Sequence, residues 1–230
     1  MNSQLALPIY LNHDMTFFDF CWDQNTLLHT QLEQSLLGLS DRILYLWGAP
    51  GSGKSHVLQA CCNHVASSQP VIYLPLKLLC EWGPDIMEGL TYQHLLCIDD
   101  IDAIAGDAAW EEALFHLYNR VHDNAPVMLI MTSRMAPRTL PIKLPDLHSR
   151  LSASLAINMV DIGDEAKIKT LCGHAKKRGL DMPHAVGQFM INRCTRNMHD
   201  LHQLLDTLDR ASWVAQRKLT IPFVKSVLGI

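Results

Sequence analysis

Residues 48–55 read Gly-Ala-Pro-Gly-Ser-Gly-Lys-Ser, a complete G-x-x-x-x-G-K-[ST] pattern. The apolar run ILYLW at 43–47 precedes it and has the length and composition of a short buried strand. The stretch KSHVLQACCNHVA at 54–66 follows and reads as a helix. A strand, a glycine-rich turn and a helix in that order form the context in which this pattern cradles phosphate. Glycines let backbone N–H groups turn inward, and the helix presents its positive end to the same anion. Lys54 adds a point charge, and the Ser55 hydroxyl suits Mg²⁺. Gly48, Ala49, Pro50, Gly51, Ser52, Gly53, Lys54 and Ser55 are therefore the candidate nucleotide contacts. A mere glycine-rich turn is the plainer reading, and the full pattern in this context outweighs it.

The rest of the chain extends the alternation. PVIYLPL (70–76), HLLCIDD (94–100), PVMLIMTS (126–133) and ASLAINMV (153–160) read as further strands. A short helix is expected over 80–90. Asp107 is placed to cap another, in which Trp110, Ala113, Leu114, Leu117, Tyr118 and Val121 recur at helical spacing. Strands joined by helical crossovers predict an α/β fold, a parallel five-stranded sheet flanked by helices. After about residue 162 only helices follow, near 164–178, 184–194, 197–216 and 221–228. The expected division is an arm at 1–15, an α/β base at 16–161 and a small helical lid at 162–230.

The third strand ends in Asp99-Asp100. A carboxylate at the carboxyl end of a buried parallel strand faces the ligand crevice. Asp99 suits Mg²⁺, held through water, and Asp100 suits orientation of an attacking water. Without the glycine loop, both would read as turn caps.

Composition excludes several classes. The net charge is −4, without the basic balance of a protein whose main task is gripping DNA. No apolar run reaches the roughly 18–20 residues that cross a bilayer. The start lacks a basic segment and meets Pro8 early, unlike a secretory leader. Seven cysteines without a C-x-x-C favour reduced thiols and a cytoplasmic setting. His199 and His202 share a helix face, but no third metal ligand accompanies them.

GAPGSGKSH, LLCIDDIDAIAG, LIMTS and LPDLHSRL together resemble the AAA+ ATPases of the DnaA group, most nearly a small regulator of bacterial replication homologous to DnaA. The likeness runs from QLALPIY at 4–10 to LDRASWVAQRKLTIPFVKSVL near the C-terminus. It implies an AAA+ P-loop NTPase, bound ADP or another nucleoside diphosphate with Mg²⁺, and His56 and His199 as further nucleotide contacts. DnaA continues into a helix-turn-helix domain; this sequence stops at Ile230, and that domain is expected to be missing. DNA would then be met only through a partner.

The resemblance marks Gln4, Leu5, Leu7, Pro8 and Ile9 as a peptide that docks on the β sliding clamp of DNA polymerase. Pro8 keeps Leu7 extended, the three aliphatic side chains suit an apolar groove, and Gln4 offers one directional contact. From the peptide alone, an arm packed on its own domain explains the sequence as well. The resemblance further implies that Arg150, in the loop before the fifth strand, acts as an arginine finger on a neighbour's nucleotide. Position alone also allows a surface arginine paired with Asp146.

Two positions depart from the group. Met198-His199-Asp200-Leu201 puts a histidine where the lid usually carries a phosphate-binding arginine. Thr132-Ser133-Arg134 has an arginine where relatives commonly have aspartate. Both weaken hydrolysis by this chain without weakening nucleotide binding, which makes ADP a structural ligand setting the angle of base and lid. Phe17, Phe18, Phe20 and Trp22 suit a cover for the base or ribose, with at least two expected in the core. The implied function is a replisome-associated negative regulator of replication initiation that stimulates hydrolysis of DnaA-bound ATP. It needs no membrane and leaves room for self-association. A self-sufficient ATPase, such as a helicase loader, is the alternative.

Overall fold

The computed structural model describes residues 11–124 and 127–230, with the backbone alone at Asn124 and His199. Residues 4–9, the expected clamp peptide, lie outside the described residues. The chain forms two compact units, one of residues up to Phe17, Leu27–Ala49 and Lys54–Met159, the other of Phe18–Thr26, Pro50–Gly53 and Val160–Ile230.

The first unit is built on a five-stranded sheet. Its strands are β1 (Ile43–Trp47), β2 (Val71–Pro75), β3 (Leu95–Asp99), β4 (Met128–Ser133) and β5 (Leu155–Asn158). Their order is β2-β3-β4-β1-β5 and every pairing is parallel. The three central strands are buried and read as continuous apolar runs, as a sheet covered on both faces requires. Side chains alternate between the faces. Tyr45, Leu96, Ile98, Leu129 and Met131 share one core with Leu114, Leu117 and Val121 of α4 (Ala108–Asn124). On β3, Cys97 donates its thiol to the Leu58 carbonyl of α2 (Lys54–Val65), at 3.7 Å. β5 is an edge strand, shorter than its sequence suggested, and only partly buried.

Helix α1 (Thr26–Leu36) went unread in the sequence, although Leu28, Leu32 and Ser35 bury at i, i+4 and i+7. The helix expected over 80–90 is instead α3 (Leu76–Leu79) followed by 3₁₀ turns at Cys80–Trp82, Pro84–Met87 and Leu90–Tyr92. Gly83 at φ 89° and Gly89 at φ 68° interrupt it, and Pro84 brings no N–H. The Asp107 cap is present: its carboxylate accepts from the N–H groups of Ala109 (3.0 Å) and Trp110 (3.3 Å). α5 (Pro145–Ala153) begins with proline and buries Leu147 and Leu151.

In the second unit, α6 (Asp164–Lys177), α7 (His184–Arg193), α8 (Met198–Ala215) and α9 (Ile221–Leu228) follow the sequence expectation within two residues at each end. They enclose Ile168, Leu171, Val186, Met190, Leu201, Leu205, Leu208 and Val224. Thr220 caps α9, and Gly229 ends it at φ 68°. Among the described residues no helix is long and apolar enough to cross a membrane.

Candidate nucleotide site

Register brings the carboxyl ends of β1, β3 and β4 together, and the chemistry sits on the residues leaving them. Trp47 pairs with Ser133, and the Gly48 N–H donates to the Ser133 carbonyl at 3.2 Å, tying the start of the glycine loop to the end of β4. Lys54 opens α2 and is buried. Its ammonium donates to the carbonyls of Gly48 (2.7 Å) and Ala49 (2.9 Å). Burial lowers the Lys54 pKa, while the charges of Asp100, Asp99 and Asp102 pull it back up. A buried ammonium satisfied by neutral carbonyls gains from an anion, so this loop fits the phosphates of a nucleotide.

Asp99 is 2% exposed, and both its oxygens are held. One accepts from the Thr132 hydroxyl and the other from the Tyr73 hydroxyl, at 2.7 Å for Tyr73. Thr132 in turn accepts from the Asp100 N–H at 3.0 Å. Burial, then the charge of Asp99, drives the Tyr73 pKa far up, so it stays a donor. A carboxylate oriented this way keeps spare lone pairs for Mg²⁺ through water, with half-buried Ser55 as the other candidate ligand. Asp100 is half-buried in the left-handed region, at φ 56°. Burial raises its carboxyl above the ordinary range, and the charges of Asp99 and Asp102 add to that.

Arg134 and Asp102 form a further pair. Asp102 is 6% exposed at its side chain and accepts from the Arg134 Nε at 2.6 Å. It also accepts from the Arg134 backbone N–H (3.1 Å) and the Ser133 hydroxyl (3.2 Å). Burial alone would raise the Asp102 pKa; the Arg134 bonds outweigh it and hold the carboxyl low.

Pro50–Gly53 group with the second unit. Gly51 and Gly53 adopt φ 85° and 89°. A Cβ on Gly53 would meet the Phe20 ring at 2.4 Å, so conformation and space both exclude another residue there. Phe20 packs against Trp22, ring centres 4.4 Å apart. Phe17 lies against His64 at 5.3 Å, and Phe18 is 83% exposed with the Lys177 ammonium over its ring. None of these four aromatics is buried in a core, contrary to expectation: Phe17, Phe20 and Trp22 are only half-buried.

Other expected contacts divide. The His56 ring faces the Thr16 carbonyl at 3.1 Å. The His199 side chain lies outside those described. Arg150 sits on α5, not in a loop, because Leu147 and Leu151 anchor a helix there. It is exposed, and among the described residues it makes no ion pair with Asp146 and no hydrogen bond through its guanidinium. Its charge lowers the Tyr118 hydroxyl pKa, against the larger effect of burial. Lys54, Asp99 and Asp100 thus converge, whereas Arg150 is carried by α5 and is not among the charges acting on Lys54. Tyr73 went unnoticed in the sequence. Its only signal is register: Pro75 lies opposite Asp99, which puts Tyr73 on the same face one step back.

Residues 164–228 match the family described as Hda, lid domain, and residues 44–137 match one described as RNA helicase. The structure resembles domain III of the Thermotoga maritima replication initiation protein DnaA, with TM-score 0.81 and 21% identity over 96% of this chain and 98% of that one. AMPPCP-bound DnaA from Aquifex aeolicus gives 0.71 and 20%, over 86% and 66%. The Thermotoga maritima RuvB Holliday junction branch migration motor gives 0.69 and 16%, over 94% and 71%.

Proposed function

We propose that this chain, a DnaA-homologous AAA+ protein with an Hda-type lid, restrains replication initiation by accelerating hydrolysis of ATP bound to DnaA. Residues 4–9 tether it to the β sliding clamp, and Arg150 enters the neighbour's site. The observation that carries this reading is Arg150 itself. An exposed guanidinium on an anchored helix, without a partner among the described residues, is available to another molecule. In trans it would neutralise charge on the transferring phosphoryl group, an effect worth about 10³–10⁵ in rate.

The chain's own pocket has a separate task. Gly48, Ala49 and Lys54 would hold the phosphates, with Pro50–Gly53 and Ser55 completing the loop and Ser55 and Asp99 holding Mg²⁺ through water. Bound ADP–Mg²⁺ supplies charge that satisfies the buried Lys54 and Asp99 and stabilises the folded chain by mass action. DnaA and the clamp are the partners, DNA is reached through the loaded clamp, and the setting is the cytoplasm.

A second reading rests on Asp100. A carboxyl raised by burial beside Asp99 and Lys54 suits a base for this chain's own hydrolysis. The RNA helicase match over 44–137 also concerns a P-loop region. Turnover by the isolated chain, stimulated by DNA, would favour it.

The tether is tested by capture on purified sliding clamp. Leu7→Ala with Pro8→Ala should lose clamp binding and keep the wild-type melting temperature and ADP affinity. Undiminished capture by the double variant would remove residues 4–9 from the mechanism.

A further inference from the structure

Residues 12–17 run along α2, and α2 holds them by the main chain. The buried Gln59 side chain accepts from the Asn12 N–H at 3.0 Å. The Asn63 amide donates to the carbonyls of Asn12 and Met15, both at 2.8 Å. With His56, which faces the Thr16 carbonyl, these side chains stand three and four residues apart on one face of α2. The held segment is itself folded. The Met15 N–H donates to the Asn12 carbonyl at 3.1 Å, and the Asp14 N–H to the Asn12 side-chain oxygen at 3.0 Å, closing a turn. Val57, Leu58, Ala60, Cys61 and Cys62 bury the rest of α2, so the grip belongs to a fixed element.

Chain ends fray unless they are tied down. A staple that only closed the fold would explain these bonds. Its place in the chain gives it a further effect. Asn12 follows Ile9, the last residue of the clamp peptide, by three residues. Three extended steps span at most about 11 Å. A clamp that holds residues 4–9 therefore has the turn at Asn12 within that reach. The turn, α2 and the α5 helix that carries Arg150 belong to one compact unit. We infer that Asn63, with Gln59, is a positioning residue: it fixes the root of the tether, so that a clamp-held chain presents α5 in a restricted set of orientations and not on a free leash. This rests on residues 4–9 docking on the clamp.

The test lengthens the tether without touching the grip. A Gly-Ser linker of about twelve residues between Tyr10 and Leu11 leaves residues 4–9, the turn and α2 as they are. Capture on purified sliding clamp should equal wild type. Stimulation of hydrolysis of DnaA-bound ATP on DNA-loaded clamp should fall about 10-fold or more, because a flexible span extended from three residues to about fifteen dilutes the tethered body by that much. Gln59 also bonds Tyr73, which braces Asp99, so the point variant is made at Asn63. Asn63→Ala should keep clamp capture and ADP affinity, raise amide hydrogen exchange over residues 12–16 and lower stimulation. Stimulation equal to wild type in either variant, or unchanged exchange in Asn63→Ala, overturns the inference and leaves clamp docking standing. A wild type that the clamp does not capture, or capture undiminished by Leu7→Ala with Pro8→Ala, overturns the clamp reading and the inference with it.

Discussion

Asp100 folds with its carboxyl half-buried beside Asp99 and Asp102, at a backbone φ of 56°. Its folded-state pKa lies above the unfolded value, so folding takes up a proton there. That contribution is fully present below the unfolded pKa and is lost as pH rises through the folded one. At neutral pH the ionised group therefore destabilises the free protein. Asp100→Asn should raise the melting temperature at pH 7, and the gap should close as pH falls toward 4. Thermal unfolding across that range without nucleotide checks it; equal melting at pH 7 would mean the cluster costs nothing. The pattern of Gly48–Ser55 and the Asp99-Asp100 pair were legible because chemistry fixes residue type and spacing there. Asp102 and Tyr73 were not, because their roles come from register and from a turn that brings Arg134 to Asp102.

At the scale of elements, α4 and α5 are joined by one side chain. Glu111, fully buried in α4, accepts from the N–H groups of Gly106 (2.6 Å), Lys143 (2.9 and 3.1 Å) and Leu144 (2.8 Å). It thereby pins the segment entering α5, the helix that carries Arg150. Glu111→Ala leaves three donors without this acceptor. Hydrogen bonds to a charged group contribute about 1.5–3 kcal/mol each, so stability should fall by about 3 kcal/mol or more. Urea unfolding measures this, and a loss under about 1 kcal/mol would show that water replaces the carboxylate. The Asp107 cap was readable because it acts two and three residues away. α5 was missed since its burial rests on only two leucines one turn apart. The helix expected over 80–90 breaks into 3₁₀ turns because Gly83, Pro84 and Gly89 interrupt it.

Across the whole molecule, the parallel sheet and the four C-terminal helices were legible because their periodicities are long and uninterrupted. Strand order was not, since no residue in a buried apolar strand names its neighbour. The proposed division of labour gives Lys54 and Asp99 this chain's own nucleotide and Arg150 the neighbour's. Single-turnover hydrolysis of ATP preloaded on DnaA, with DNA-loaded clamp and each variant added, tests it most directly. Arg150→Ala should keep ADP affinity and clamp capture and lose at least about 10³-fold of the stimulation, the low end of a trans arginine's effect. Stimulation by Arg150→Ala equal to wild type would contradict a finger in trans and favour a chain that hydrolyses its own ATP.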